Sequence, residues 1–374
     1  MGAPWVEHES WELVEEASGI AGRDVAHLLL EADAEELRQT RNAQLTTFVL
    51  SLVVLDAVER VGLAPGVAAG HSLGEYTALT ATGALSFADG VRVVTARGDA
   101  MNLAAEESPG TMAAVLGLDD DDCEAACRRV DGEVWVANFN APGQVVIAGS
   151  ADAVAAASAQ AKERGAKKVL PLPVGGAFHT PFMGPARDRL KKAVGEATLR
   201  APDVPVVANV DARAYTDPEE WASLLSAQLT SAVRWRQTVL RLEELGAKTL
   251  VELGPGNVLT GMAKRIAPDL RALSVATPDD LDALLDALHE QPAPVVHDGE
   301  HLYMSERLVI SPAAGIFSPA DGYAPGRAIE VGDLLGHVGE HEVRSRFAGT
   351  LEGLVAHDGE RLTASQPVAW LRTA

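Results

Sequence analysis

The sequence predicts an α/β protein: a core of parallel strands and helices, a ferredoxin-like subdomain inserted into it, and a small all-β domain at the C-terminal end. Three observations predict this. Val67-Ala68-Ala69 is short and apolar, Gly70-His71-Ser72-Leu73-Gly74-Glu75-Tyr76 follows it as a sharp turn, and Leu73 to Thr82 reads as a helix. Between Thr111 and Leu172 strand-like and helix-like segments follow one another as β-α-β-β-α-β, the ferredoxin-like order. From Tyr303 onward short apolar runs alternate with Asp-Gly, Pro-Gly and Gly-Asp turns, and no helical period remains.

In order along the chain, Ser10 to Ser18 carries Trp11, Leu13 and Val14 at helical spacing, and Asp24 to Leu30 and Ala34 to Arg38 read as further short helices. Asn42 to Val61 is almost wholly apolar. Its apolar side is too wide for a surface helix, so it is expected to lie buried against a sheet. After the glycine-flanked turn comes a helical stretch, Leu85 to Ala105, containing Arg97-Gly98.

The insertion, about 108–174, has strands at Thr111 to Leu116, Val134 to Asn138, Gln144 to Ala148 and Lys168 to Leu172, with helices at Asp119 to Val130 and Asp152 to Arg164. Larger elements then resume. Helices are expected over Phe182 to Ala197, Pro218 to Leu229, Val233 to Leu245 and Val258 to Ile266, with strands over Val204 to Val210, Thr249 to Leu253 and Leu270 to Ala276. A last helix opens at Thr277-Pro278-Asp279-Asp280, where a cap residue, a first-turn proline and acids suit a helix start. Residues 291–301 are proline-rich and read as a linker between a domain over 1–290 and the all-β domain over 302–374. The two halves of that domain are faintly alike: Ser311-Pro312-Ala313-Ala314-Gly315-Ile316 matches Ser345-Arg346-Phe347-Ala348-Gly349-Thr350.

The net charge of −22 over 374 residues repels nucleic acid and anionic membrane surfaces, so neither is expected as a partner. No run of about 18 apolar residues and no basic-then-apolar leader is present, and the chain reads as a cytoplasmic protein. Cys123 and Cys127 are the only cysteines, four apart in one predicted helix, and read as inert thiols rather than a metal site or disulfide. No metal and no cofactor is called for.

Gly-x-Ser-x-Gly between a strand and a helix has the context of a nucleophile elbow, although a bare match also occurs in ordinary turns. Ser72 would stand at a helix N-terminus, where free N–H groups favour developing negative charge. A serine nucleophile needs a base. His71 adjoins Ser72, but neighbouring side chains at an elbow point apart, so packing is its better reading. His179 follows a strand and Gly175-Gly176 and precedes Thr180-Pro181, which puts it on a loop at a strand end. Position alone leaves it open between a catalytic and a structural role.

The turn at Gly70–Tyr76, Arg97-Gly98 with Met101, and Gly110-Thr-Met-Ala-Ala-Val-Leu-Gly together resemble the malonyl-CoA:acyl carrier protein transacylases. So do Asn138-Phe-Asn-Ala-Pro-Gly-Gln-Val-Val-Ile-Ala-Gly, Ala177-Phe-His-Thr-Pro-Phe-Met and Glu252-Leu-Gly-Pro-Gly, all in the family's order, over residues 1–290. The resemblance implies a hydrolase-like core and transfer of a malonyl group from malonyl-CoA to acyl carrier protein. Ser72 would take the malonyl group as an ester, and His179 would be the base. The backbone carbonyl at Gln228 would hold the imidazole in place of a triad acid. Arg97 would clamp the malonyl carboxylate, and the Leu73 N–H would serve the oxyanion. Phe178 would crowd an α-methyl branch. Lys167 and Lys168, clustered with Lys162 and Arg164, would dock the acidic carrier; an ordinary solvated helix end is the other reading.

The family's second oxyanion donor is the glutamine of a Phe-Pro-Gly-Gln-Gly loop after a first strand. This chain starts Met1-Gly2-Ala3-Pro4-Trp5, so that strand and loop are not among its residues. A start codon assigned downstream of the true one is the simplest reading, and an inactive scaffold homologue is the alternative. The 374-residue form is accordingly expected to be poorly soluble or nearly inactive. A serine hydrolase or thioesterase on the same elbow is the rival enzyme. Fatty-acid and polyketide synthesis are both open as the pathway served. The C-terminal domain resembles biotinyl/lipoyl-like barrel-sandwich domains, but no lysine follows Lys264, so neither biotin nor lipoate can be attached at the expected tip near Gly339. It is expected to be an interaction module.

Overall fold

The computed structural model describes residues 1–289 and 306–372, except 321, 323, 346, 364 and 365. The expected linker, 291–301, lies outside the described residues. The chain divides into two units, Met1–Gln291 and Pro292–Ala374.

The first unit opens with single 3₁₀ turns at Ala3–Trp5 and Glu9–Trp11, then α1 (Glu12–Ala21), α2 (Val25–Leu30), α3 (Ala34–Arg38) and α4 (Thr40–Arg60). Asp24 and Asp33 cap α2 and α3 through their carboxylates. Trp5 is buried and donates its indole N–H to the Ala276 carbonyl at 2.8 Å. By length and composition alone α4 could cross a membrane, but 78% of its apolar window is buried inside the protein, so it is a core helix.

After α4 come β1 (Ala68–Ala69), α5 (Gly74–Ala81) and α6 (Phe87–Glu107). The main neighbour of α4 is α6, with the strand Thr249–Leu253 a lesser one, so the helix buries itself mostly against another helix and not, as expected, against a sheet. The reason is visible at Gly98, where an added Cβ would lie 2.9 Å from the Arg41 Cα. Only glycine lets the two helices approach so closely, and the approach brings Gln44 of α4 to Arg97 of α6.

The insertion comprises β2 (Thr111–Leu116), α7 (Asp120–Arg128), β3 (Val134–Ala141), β4 (Gln144–Gly149), α8 (Ala151–Glu163) and β5 (Lys168–Pro171). Its sheet is antiparallel in the order β3-β4-β2-β5. One face packs on α7 and α8 through Val115, Val145, Ile147, Cys123, Ala126 and Ala157. The other carries Met112, Ala137, Val146 and Ala148 and packs against Ala177, Phe178 and Phe182, which makes it a wall of the His179 loop. Cys123 and Cys127 are free, and burial pushes both thiols up to about 12.

The chain continues through α9 (Gly184–Glu196), β6 (Val206–Val207), β7 (Ala214–Tyr215), α10 (Pro218–Gln228), α11 (Trp235–Glu244), β8 (Thr249–Leu253), α12 (Val258–Ile266), β9 (Arg271–Val275) and α13 (Asp280–His289). The strand expected over Val204 to Val210 is thus only two residues long. Ala208 and Arg213 instead close a turn in which Ala212 has φ 57°. β1 runs parallel to β6, β7 is antiparallel to β6, and β8 runs parallel to β9. Both parallel pairs lie between the same two apolar layers. Ala68, Val251 and Leu253 face the core built by α4 and α6, and Ala69 and Leu250 face the core built by α11 and α12. Among the described residues β1 has a hydrogen-bonded neighbour only in β6, and β8 only in β9.

The second unit is all-β: β10 (Glu306–Ile310), β11 (Gly315–Pro319), β12 (Ala328–Ile329), β13 (Leu334–Val338), β14 (His341–Arg344), β15 (Gly349–Leu354), β16 (Arg361–Leu362) and β17 (Pro367–Arg372). Two four-stranded sheets, β10-β17-β15-β12 and β14-β13-β11-β16, enclose Phe317, Leu335, Val338, Leu351, Val368 and Leu371. The faint internal repeat carries the same turn twice: Ser311 Oγ donates to the Ala313 carbonyl at 2.6 Å, and Ser345 Oγ to the Phe347 carbonyl at 2.7 Å.

Candidate active site

Gly70 shapes the turn after β1 by letting the chain close on the Gly74 backbone, whereas a Cβ on Gly74 itself would meet nothing within 4 Å. A Cβ on Gly70 would lie 1.9 Å from the Gly74 carbonyl carbon, so no other residue fits. The turn forces Ser72 to φ 51°, a left-handed conformation that costs an L-residue about 1–2 kcal/mol. It is held there by Asn209, whose Oδ1 accepts the Ser72 N–H at 2.7 Å and whose Nδ2 donates to the Gly70 carbonyl at 2.7 Å. His179 is also left-handed, at φ 59°. Its loop is fastened by Thr180, which donates through Oγ1 to the Ala177 carbonyl at 2.7 Å.

These two strained residues meet. Ser72 Oγ lies 2.7 Å from His179 Nε2, and His179 Nδ1 lies 2.9 Å from the Gln228 carbonyl. A carbonyl can only accept, so Nδ1 carries the proton and Nε2 is left as the acceptor for the serine hydroxyl. Burial, and after it the Arg97 guanidinium, push His179 down to about 3, so the ring is neutral.

Arg97 is 1% exposed and has no carboxylate within ion-pair distance among the described residues. Its Nη1 donates to Gln44 Oε1 at 2.5 Å, and its Nη2 to Ser72 Oγ at 3.1 Å and to Gln228 Oε1 at 3.0 Å. The guanidinium also lies over the Tyr76 ring, 5.2 Å from its centroid. The buried Nε–H has no hydrogen-bond partner among the described residues. Burial lowers the Arg97 pKa, and Tyr76 and Glu75 oppose the shift. An uncompensated buried cation with a spare N–H beside a serine–histidine pair can receive a carboxylate.

The structure thus brings Ser72, His179, Arg97 and Gln228 together. The Leu73 N–H makes no hydrogen bond among the described residues. Phe178 is half-buried beside the base. Lys167 and Lys168 are exposed at the edge strand β5 of the insertion. Arg164, grouped with them in the sequence, is instead committed to Asp122 at 2.7 Å. His71 packs on the Trp235 ring and bonds Asn140 Oδ1 through Nε2 at 2.8 Å. Sequence reasoning missed Gln44, Glu75 and Asn209. A glutamine within the apolar run of α4 and an asparagine within Val-Ala-Asn-Val were the signals available. Among the described residues no cluster of His, Cys, Asp and Glu could hold a metal ion.

A family model, the acyl transferase domain, matches residues 6–277. The malonyl CoA-acyl carrier protein transacylase of Bacillus subtilis (strain 168) is 40% identical over 282 residues, covering 75% of this chain and 89% of the relative. That of Escherichia coli (strain K12) is 42% identical over 278 residues, 74% of this chain and 90% of the relative. Among solved structures, an acyl carrier protein S-malonyltransferase from Vibrio cholerae superposes with a TM-score of 0.73 at 40% identity, covering 76% of this chain and 94% of that one. A malonyl-transacylase in complex with a type II PKS acyl-carrier protein gives 0.74 at 37% identity, over 77% and 94%. With an elbow, a histidine held by a backbone carbonyl and a buried arginine all falling inside the matched span, the chain belongs to the acyl transferase domain family.

Proposed function

We propose that this chain transfers a malonyl group from malonyl-CoA to the pantetheine thiol of acyl carrier protein through an ester on Ser72. The observation that carries the reading is the shared hydroxyl: Ser72 Oγ is within hydrogen-bond distance of both His179 Nε2 and Arg97 Nη2. His179 Nε2 takes the hydroxyl proton as Oγ attacks the thioester carbonyl, and the Leu73 N–H receives the negative charge that develops on oxygen. The carbon–sulfur bond breaks, the CoA thiolate takes the proton back from His179, and malonyl-Ser72 remains. The carrier thiol then gives its proton to His179 and attacks the ester, and Ser72 leaves as the alcohol. Through both halves the Gln228 carbonyl keeps Nδ1 protonated, and Arg97 holds the malonyl carboxylate. The relatives' names, which specify malonyl-CoA and acyl carrier protein, support the same substrates.

Residues 1–290 form the acyltransferase domain in this reading. The insertion is ferredoxin-like, supported by its order β3-β4-β2-β5 with both helices on one face. The all-β domain over 302–374 is a biotinyl/lipoyl-like barrel-sandwich, supported by its paired sheets and repeated turn, with the two-residue hairpin Gly339-Glu340 at the tip. It serves protein interaction, since the tip offers no lysine. The packing of α4 inside the fold suits a protein that works in water.

Mass spectrometry after exposure to malonyl-CoA tests the proposal. The expected result is a malonyl adduct on the unsubstituted chain and none on Ser72→Ala. An adduct surviving on the variant overturns it. A serine hydrolase is the weaker reading, because a buried arginine beside the nucleophile serves acids alone.

A further inference from the structure

Glu75 takes no part in the steps above, yet it is 1% exposed and lies in the first turn of α5, three residues from the nucleophile. We propose that Glu75 is the positioning residue that joins nucleophile, base and carboxylate clamp, by fixing which way the Gln228 amide points. The proposal rests on the transacylase reading and deepens it.

Glu75 Oε1 accepts the Asn209 backbone N–H at 2.6 Å, and Oε2 accepts from Gln228 Nε2 at 2.5 Å. Both oxygens therefore face donors. Gln228 can turn only its NH₂ toward the carboxyl, and the same NH₂ donates to the Ser72 carbonyl at 2.8 Å. Its Oε1 must then face the other way, where it accepts from Arg97 Nη2 at 3.0 Å. An amide has no orientation of its own. Turned over, it would set NH₂ against the guanidinium, donor on donor.

With Gln44 Oε1 on the other nitrogen, the guanidinium is held between two amide oxygens. The second arm runs through Asn209, whose N–H is fixed by Glu75 while its side chain holds the left-handed Ser72 and the Gly70 carbonyl. Gln228 is also the residue whose carbonyl holds His179. One carboxyl group thus ties together the elbow, the loop after β6 and the end of α10. Burial pushes it up to about 8, against the pull of Asn209, Gln228 and Arg97, so above that pH both oxygens are acceptors, and loading is compared there, at about pH 9.

Glu75→Gln tests this, because it keeps the shape and exchanges one acceptor for a donor. Whichever way the new amide lies, one buried donor meets another, here or at Arg97. Loading of Ser72 from malonyl-CoA is expected to fall about ten- to a hundredfold, the worth of one unmatched buried group. Loading from acetyl-CoA should fall less, so the malonyl-to-acetyl ratio drops at least about threefold. A role in stability alone would lower the melting temperature and leave that ratio, per folded molecule, unchanged. Loading and ratio both within about twofold of the unsubstituted chain overturn the proposal. If Glu75→Gln does not fold, Glu75→Asp keeps both acceptors but shortens their reach, and an unchanged ratio there overturns it equally. The unsubstituted chain is measured alongside. Its failure to load malonate defeats the transacylase reading itself, whereas a loading chain with an indifferent Glu75→Gln defeats only the positioning role.

Discussion

Replacing Arg97 by alanine should change which acyl group the protein accepts far more than how fast it acylates. The side chain is 1% exposed, and its hydrogen bonds go to uncharged oxygens on Gln44, Ser72 and Gln228. The cation is therefore unneutralised until a carboxylate arrives. In the alanine variant the malonyl carboxylate must enter the same buried space with no cation to meet it. Removing one side of a desolvated charge pair costs ~2–5 kcal/mol. At about 1.4 kcal/mol per decade, malonyl loading should fall roughly thirty- to several-thousandfold. Acetyl-CoA places a methyl group where the carboxylate would lie and forgoes none of this energy, so acetyl loading should hold or rise. Two amide oxygens lose a donor in the variant, so circular dichroism must first show that it folds. Arg97→Lys is the control for geometry, since an ammonium cannot serve two amides and a carboxylate as a planar fork does. The assay is transfer of radiolabel from each thioester to protein. An equal fall for malonyl and acetyl groups would refute the reasoning.

Four further outcomes are expected. His179→Ala should slow loading by ~10²–10⁴-fold, and a loss below about tenfold would make the histidine structural. The same variant should change acid stability. The native ring, pushed down to about 3, stays neutral where the unfolded ring, near 6.5, takes a proton, so His179 lowers stability as pH falls through that window. Urea unfolding at pH 5 and pH 7 should show a smaller difference without it. Phe178 should favour malonyl-CoA over methylmalonyl-CoA by ~1–3 kcal/mol, and comparable efficiencies would remove the steric argument. Lys167→Glu with Lys168→Glu should raise the KM for the carrier while leaving Ser72 loading intact; an unchanged carrier KM would return both lysines to ordinary surface.

How far the sequence reaches can be judged element by element. Thr111–Leu116, Thr249–Leu253 and Val258–Ile266 have the bounds expected from pattern alone, because each is a continuous apolar or amphipathic run closed by glycine or proline. The strand at 206–207 was overdrawn because Val-Pro-Val-Val-Ala-Asn-Val looks apolar throughout, while backbone hydrogen bonds turn the chain at Ala208. β7 escaped notice because two residues carry no period. At the site, glycine spacing announces the elbow since its cause is local. Gln44, Glu75 and Asn209 are different. The partners of Glu75 stand 134 and 153 positions away, and a polar residue in an apolar context does not say whom it will meet.

The left-handed backbone at Ser72 and His179 bears on how the protein responds to selection. At most positions of a fold, greater stability and preserved activity are compatible aims. Here glycine at Ser72 would relax a strain of about 1–2 kcal/mol, whereas at the buried His179 it would also leave a cavity and an unmet Gln228 carbonyl. A screen for thermal tolerance alone would therefore drift toward Ser72→Gly, and would reward the loss of the nucleophile. Screens for stabilised variants of this chain need activity as a simultaneous criterion, and the melting temperature of Ser72→Gly measures how much stability its chemistry has cost.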